Sequence, residues 1–192
     1  GYFIDEGGFL SSMDQPAEVS VLEQGSLFVK VAVKGKIGKY SFTQTIRLTQ
    51  GEPRIDMSVK LDWIGSPRIG EPGIEFRADN PRKSFYDDRY KLLVYLPIQI
   101  ANQQIYKDAP FDVCESRLEN TFFNRWDSIK HNIILNWVDV ASKDNSCGLS
   151  LFTDHTTSYA HGKDFPLALN VQYAGKGLWG RDYICLLYTS DA

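Results

Sequence analysis

The three histidines of the chain, His131, His155 and His161, are the first residues to weigh as catalytic or metal-binding groups. His155 and His161 lie between Asp154 and Asp164, so this segment holds two imidazoles and two carboxylates. Zinc takes such ligands, but the spacing here matches no standard zinc motif. We therefore interpret the segment as a solvated or partner-facing loop and His131 as a residue at a strand end. The sequence predicts no metal site in this chain.

Paired carboxylates are the second candidate, because glycoside hydrolysis commonly needs two carboxyl groups about 5 to 9 Å apart. The chain offers three pairs of nearby acids, Asp87 with Asp88, Asp112 with Glu115, and Asp154 with Asp164. Neighbouring residues of a strand point to opposite faces, and acidic residues are common in loops without catalysis. The sequence also contains no serine nucleophile elbow and no glycine-rich phosphate loop. None of these residues predicts a catalytic site.

Aromatic residues that could contact a ligand lie in the second half of the chain, at Trp126, Trp137, Tyr159, Tyr173, Trp179 and Tyr183. Flat rings stack on sugar faces, but they are equally ordinary material for the core of a β-sandwich. Trp179 is flanked by glycines, which favours an irregular loop and an exposed ring. We therefore retain Trp179 as a candidate for sugar contact.

The elements that would position these residues are predicted to be β-strands. Side chains alternate in character between residues 19 and 63, with glycine-containing turns at 35–38 and 50–53. This pattern predicts three consecutive antiparallel strands, a meander, at 27–34, 40–48 and 55–63. Further short strands are predicted at 91–98, 131–140, 148–152 and 165–173. Short, evenly spaced strands of this kind favour an all-β fold, an antiparallel β-sandwich.

Two segments interrupt the strand pattern. Residues 65–73 include five Gly or Pro, which predicts a loop inserted within one domain. A possible capping box at Ser116–Glu119 precedes apolar residues at helical spacing, which favours an amphipathic helix over 116–129. The same segment is rich in poor helix formers, which favours a long ordered loop. Both alternatives stay open, with the loop preferred.

Composition excludes several classes of protein. The 192 residues carry 21 Lys plus Arg against 24 Asp plus Glu, a net charge of −3, and 43% are hydrophobic. No basic stripe is present to neutralise phosphates, so nucleic acid is not an expected partner. The longest apolar runs fall well short of a membrane span, so no membrane is expected either. Three cysteines without a C-x-x-C pair predict no disulfide framework and leave the redox compartment open.

Both ends of the chain suggest that a longer protein has been cut. Gly1 is not a methionine, and the first residues do not form a signal peptide. The last eight residues resemble a translated sequencing adapter, so we expect residues 185–192 to be a non-native tail. Residues 1–184 are then predicted to be part of one β-sandwich domain from a larger enzyme.

Several segments, in order, resemble the C-terminal β-sandwich region of glycoside hydrolase family 38, the α-mannosidases. They are Phe42–Ile46, Pro53–Asp56, Asp62–Trp63, Arg89–Leu93, Leu96–Pro97, Asn124–Asp127, Asn136–Asp139, Gly148–Asp154 and Leu167–Leu169. The similarity covers most of residues 19–175, whereas the segments 65–73 and 154–164 depart from the family pattern. The resemblance implies a super-sandwich of the galactose mutarotase-like type.

The resemblance also implies a retaining, zinc-dependent α-mannosidase whose N-terminal catalytic domain precedes this region. The zinc ligands and the carboxylate nucleophile belong to that domain, and none of them maps onto this chain. The chain is then a non-catalytic supporting domain that binds no cofactor of its own, with the catalytic domain and a carbohydrate substrate as partners.

In such enzymes the β-rich part can lend loops to the rim of the active-site pocket. This makes Asp154, His155, Tyr159 and His161 candidate rim contacts, although packing between domains explains the same residues and is preferred. Two other functions stay open: an autonomous carbohydrate-binding module, or the mutarotase-like sandwich of another carbohydrate-active enzyme. An adhesion or scaffold domain without a ligand is a further alternative. A supporting domain is expected to expose an apolar patch, whereas a binding module is expected to retain sugars by itself.

Overall fold

The computed structural model describes residues 2–5, 8–65, 91–116, 130–162, 165–176 and 182–185. Every regular element in these ranges is a β-strand, and each strand pair whose register is described is antiparallel. The all-β class is therefore confirmed. Within the same ranges, no helix is both long and apolar enough to cross a membrane. The described residues fall into two compact units, the first built from the chain up to residue 91 with 174–185, and the second from 92–173.

The first unit contains a four-stranded meander in which every strand pairs with the next one along the chain. Its strands are β3 (Glu18–Gln24), β4 (Phe28–Ile37), β5 (Tyr40–Thr49) and β6 (Ile55–Asp62), and the unit also contains the hairpin of β1 (Tyr2–Asp5) and β2 (Gly8–Ser11) and the short strand β15 (Asp182–Cys185). The predicted strands at 27–34, 40–48 and 55–63 are present, but β4 continues through residues 35–37, which were predicted to be part of a turn. The additional strand β3 extends the meander on its N-terminal side.

A tight turn at Gly38 fixes the register of the meander. Ile37 pairs with Tyr40, so Gly38 and Lys39 alone connect β4 to β5. Gly38 has a φ of +59°, and a Cβ atom there would lie 2.6 Å from the Leu10 side chain. Glycine is therefore needed for its backbone and for space. Beside the turn, Tyr40 is fully buried and packs edge-on against Trp63, with ring centroids 4.8 Å apart.

The second unit contains one sheet of four strands and part of a larger sheet. The four-stranded sheet has the order β12 (Gly148–Phe152), β11 (Trp137–Ser142), β8 (Gln103–Ala109), β9 (Asp112–Glu115), and the part of the larger sheet has the order β10 (Lys130–Ile134), β13 (Thr157–Gly162), β14 (Phe165–Lys176), β7 (Lys91–Leu96). Both sheets contribute side chains to one buried cluster of Ile105, Ile134, Val138, Val140, Tyr159 and Leu167. This sheet-on-sheet core is the arrangement of a β-sandwich.

One predicted strand is wrong in a way that has a clear cause. Residues 131–140 form two strands rather than one, β10 and β11, which belong to different sheets. The break is at Leu135 and Asn136, whose backbone N–H groups donate to the carboxylate of Asp108 at 2.8 and 2.6 Å. Because a side chain takes these two donors, the chain leaves one sheet here and enters the other.

The other predicted strands are present, and two further predicted segments lie almost entirely outside the described residues. The strand at 148–152 is confirmed, and the strands at 91–98 and 165–173 are present with shifted ends. The predicted loop at 65–73, apart from Gly65, and the helix or loop at 116–129, apart from Ser116, lie outside the described residues. Strands β8, β9 and β13 were not predicted.

Candidate functional site

The segment 154–164, predicted to be a loop, is largely a strand. Thr157–Gly162 forms β13, which pairs with β10 on one side and with β14 on the other. The prediction of a loop is therefore wrong for these residues, including Tyr159 and His161. The strand forms despite its polar sequence because both of these side chains reach hydrogen-bond partners in distant parts of the chain.

Tyr159 lies in the core of the second unit. Its hydroxyl donates a hydrogen bond of 2.6 Å to Oγ of Ser116, which is also buried. Burial raises the pKa of Tyr159 to about 12, with the Ser116 hydrogen bond acting weakly in the opposite direction. The residue is thus a neutral donor that stabilises the sandwich.

His161 is buried two positions further along the same strand. Its Nε2 atom lies 2.6 Å from Oε1 of Gln103 at the start of β8. An amide oxygen only accepts hydrogen bonds, so Nε2 carries the proton and donates it. The contact joins β13 of one sheet to β8 of the other.

Asp154 and His155 lie in the connection between β12 and β13, before the buried part of the segment. Asp154 is exposed and its carboxylate contacts Nδ1 of His155, which is partly exposed. The Nε2 atom of His155 is buried and has no hydrogen-bond partner among the described residues. A carboxylate on Nδ1 orients the imidazole ring. Of the predicted site residues, these two alone are brought together, and Trp179 lies outside the described residues.

The residues considered as metal ligands or paired acids form no site among the described residues. Within the described ranges there is no cluster of three or more His, Cys, Asp or Glu that could hold a metal ion. Asp112 and Glu115 are exposed at the two ends of β9, and Oδ1 of Asp112 accepts the N–H of Val113. Asp87, Asp88 and Asp164 lie outside the described residues.

One face of the meander exposes a broad aliphatic surface. The register places Val21, Val31, Ile46 and Met57 in one row across β3 to β6, with Leu48 beside Ile55 in the next row. We define the meander face by its five most exposed members, whose exposed fractions are 43 to 66%: Val19, Val21, Leu48, Ile55 and Met57. The sequence alternation predicts this apolar face but does not predict that it is exposed.

A second exposed surface lies on the sheet of β12, β11, β8 and β9. Alternate residues of β11 face the core, as Val138 and Val140 do, whereas Trp137 and Asp139 face outward. The register places Phe152 of β12 opposite Trp137, and Tyr106 of β8 opposite Asp139. We call Tyr106, Trp137 and Phe152 the aromatic band. The sequence singled out Trp137 among these three residues; Tyr106 lies in β8, which was not predicted, and Phe152 ends a strand that was predicted.

Comparison with known proteins identifies the family. The family model described as the glycosyl hydrolases family 38 C-terminal domain matches residues 5–170. No curated protein and no solved structure matches the chain. The match spans the meander of the first unit and nearly all of the second unit's sandwich. The resemblance noted in the sequence is therefore confirmed, and the chain belongs to the glycosyl hydrolase family 38 C-terminal domain family.

Proposed function

We propose that this chain is the non-catalytic supporting domain of a retaining, zinc-dependent α-mannosidase. In this proposal an N-terminal catalytic domain of the same protein carries the zinc and the nucleophile, and the chain is inactive alone. The domain contributes by packing against the catalytic domain and holding it in its active arrangement.

The observation that carries the proposal is the exposed meander face. Scattered exposed apolar residues are normal, but a contiguous aliphatic surface on a sheet is typical of a protein–protein contact. Its members include Val21 on one edge strand of the meander and Ile55 and Met57 on the other, and these three side chains are 43 to 60% exposed. Burying side chains of this size stabilises a contact by about 1.5 to 3 kcal/mol each.

The chemistry of the meander face favours a protein partner over a sugar. Branched aliphatic side chains offer neither flat rings for stacking nor groups that bind hydroxyls. Gln44, the polar residue of the face between Val33 and Val59, directs its Nε2 to Sδ of Met57 at 2.9 Å. The face therefore matches the aliphatic surface of another protein domain.

Asp154 and His155 extend the proposal to the rim of the active-site pocket. Asp154 is exposed, and its carboxylate can accept hydrogen bonds from sugar hydroxyls, while the partly exposed ring of His155 holds that carboxylate through Nδ1 and keeps its own Nε2 buried. Tyr159 and His161 are too buried to touch a ligand directly, so we limit the proposed rim contacts to the first two residues. Alanine at Asp154 or His155 in the complete enzyme is expected to raise KM for mannosides, and an unchanged KM and kcat would remove the rim role.

The proposal is tested by recovering the upstream coding sequence and expressing the complete protein. The complete protein is expected to hydrolyse 4-nitrophenyl α-D-mannoside, to lose this activity with a chelator and to regain it with zinc. The 192-residue chain alone is expected not to hydrolyse the substrate. A complete protein without α-mannosidase activity would overturn the assignment.

Two residues of β6 provide a matched pair of variants for the packing role. Ile55→Lys places a charge on the meander face, and Ser58→Lys places the same charge on the opposite face. A charge buried at the contact is expected to cost about 2 kcal/mol and therefore to lower the Tm of the complete enzyme. Ser58→Lys is expected to shift it far less. Equal shifts in the two variants would show that the meander face is not the contact.

A further inference from the structure

We propose that the aromatic band on the outer face of the β12–β11–β8–β9 sheet binds a neutral oligosaccharide. Tyr106, Trp137 and Phe152 would stack on pyranose rings, while Asp139 and Ser150 would bind their hydroxyl groups. This inference is carried by a different sheet from the meander face and does not depend on the proposed packing role.

The geometry of the band suits a short sugar chain. Trp137 and Phe152 are direct cross-strand partners, which places their Cβ atoms about 5 Å apart on the same face. Tyr106 lies one strand further, opposite Asp139, which is two positions from Trp137. The three rings thus lie on three adjacent strands and span two strand spacings, about 10 Å.

The burial of these side chains indicates rings that are held but accessible. Phe152 is 72% exposed, whereas Trp137 and Tyr106 are half-buried. The aliphatic residues that alternate with them, such as Val138 and Val140, are fully buried and form the core. The sandwich is therefore closed on its inner side, and the outward rings are not needed to complete its core.

Polar groups beside the rings favour a sugar over an apolar protein surface. Oγ of Ser150 donates a hydrogen bond of 2.5 Å to Oδ1 of Asp139. This bond fixes the Asp139 carboxylate, leaving its second oxygen to accept from a ligand hydroxyl. Glu115 is exposed opposite Tyr106 on the next strand and adds a second carboxylate at the edge of the band. Stacking rings with hydroxyl-binding carboxylates match the amphipathic surface of a pyranose.

The charges on this face select against anionic ligands. Asp139 and Glu115 face outward, whereas Lys107, which lies between Tyr106 and Asp108 on β8, directs Nζ to the carbonyl of Ile133 at 2.8 Å. A phosphate or sulfate would meet carboxylates here rather than cations. The surface therefore fits a neutral glycan and not a nucleic acid or a sulfated one.

Binding is measured with the 192-residue chain and three defined probes. Affinity electrophoresis and isothermal titration calorimetry would use soluble α-mannan, laminarin as a neutral β-glucan, and heparin as an anionic polysaccharide. Binding to either neutral polysaccharide, and weaker or no binding to heparin, is the expected result. Absence of binding to both neutral probes, or preference for heparin, would overturn the proposal.

Variants test whether the band carries the binding. Phe152→Ala is expected to weaken binding about tenfold, and Phe152→Tyr, which keeps a ring, to restore most of it. Asp139→Asn is expected to weaken binding severalfold because a neutral amide replaces the carboxylate. Leu27→Ala is the control, because Leu27 is also 72% exposed but lies in the turn before β4. Equal binding by Phe152→Ala and Leu27→Ala, with unchanged circular dichroism, would overturn the role of the band.

The two proposals fail separately. A complete protein without α-mannosidase activity would leave the sugar-binding proposal standing, because binding is measured without any hydrolysis. A chain that binds no sugar would leave the packing role of the meander face standing.

Discussion

The two four-stranded sheets, the meander of β3 to β6 and the β12–β11–β8–β9 sheet, both alternate apolar and polar side chains along their strands. They differ in whether the aliphatic face is exposed. The aliphatic face of the meander is open, with Ile55 60% exposed, whereas the aliphatic face of the second sheet is closed, with Ile105 2% exposed. The second sheet instead exposes aromatic rings and carboxylates. An apolar row therefore does not tell whether a strand belongs to a core or to a contact, but the chemistry of the exposed face indicates which partner it fits.

The largest test of this comparison replaces one isoleucine in each sheet. Ile105→Ala removes a side chain from the packed cluster and is expected to lower the free energy of unfolding by about 2 to 5 kcal/mol. Ile55→Ala removes a largely exposed side chain and is expected to cost less than about 1 kcal/mol. Urea unfolding of the 192-residue chain measures both.

Similar losses in the two alanine variants would contradict the comparison. They would mean that Ile55 is covered in solution, either by a second copy of the chain or by another part of it. Size-exclusion chromatography of Ile55→Ala and of the unmodified chain separates these cases, because self-association changes the elution volume and an intramolecular contact does not.

The meander could be predicted from the sequence because its information is local. Alternating residues define each strand, and a two-residue turn containing Gly38 sets the register of the pair that it joins. The resemblance to the family likewise depended on short segments in order. For these reasons the fold class and the family were both identified correctly.

The remaining elements depend on contacts far apart in the sequence. The strand β13 has the polar sequence Thr-Ser-Tyr-Ala-His-Gly, and its two buried polar residues bond to Ser116 and Gln103, which are 43 and 58 residues away. The break between β10 and β11 requires Asp108, 27 and 28 residues before the N–H groups that it accepts. No local pattern contains these partners, so the site predicted as one loop divides into an exposed pair and two core residues.

A second test concerns the closed interior and its pH dependence. Tyr159 has a folded pKa of about 12 against an ordinary value of 10.0, because burial disfavours the phenolate. A raised folded pKa means that its stabilisation is complete below pH 10 and is lost as the pH rises towards 12. The loss amounts to at most about 3 kcal/mol. The unfolding free energy of the unmodified chain minus that of Tyr159→Phe, measured from pH 8 to 12, is expected to fall over this window and to change sign, because the alkaline loss exceeds the roughly 1 kcal/mol that the hydrogen bond contributes.

Two details make the tyrosine test decisive. At neutral pH, Tyr159→Phe is expected to cost about 1 kcal/mol for the lost hydrogen bond to Ser116. Ser116→Ala is the control, because it removes the acceptor but leaves the hydroxyl buried, so the alkaline loss should persist. A constant difference between the unmodified chain and Tyr159→Phe at all pH values would show that Tyr159 titrates normally and that the interior is open to water.

The smallest expected effect lies at the tip of the β8–β9 hairpin, where Phe111 is fully exposed and has a φ of +67°. Left-handed backbone is costly for a bulky residue, and this ring gains no packing in return. Phe111→Gly is therefore expected to raise the free energy of unfolding by about 0.5 to 1 kcal/mol, which is measured by urea unfolding. Asn102→Gly is the control: its φ is +48°, and because asparagine tolerates this region, the change in the free energy of unfolding is expected to be smaller. A loss of stability would show that the Phe111 ring is packed in solution. Weaker binding of α-mannan by Phe111→Gly would extend the aromatic band to the hairpin tip and assign the strained ring to the sugar surface.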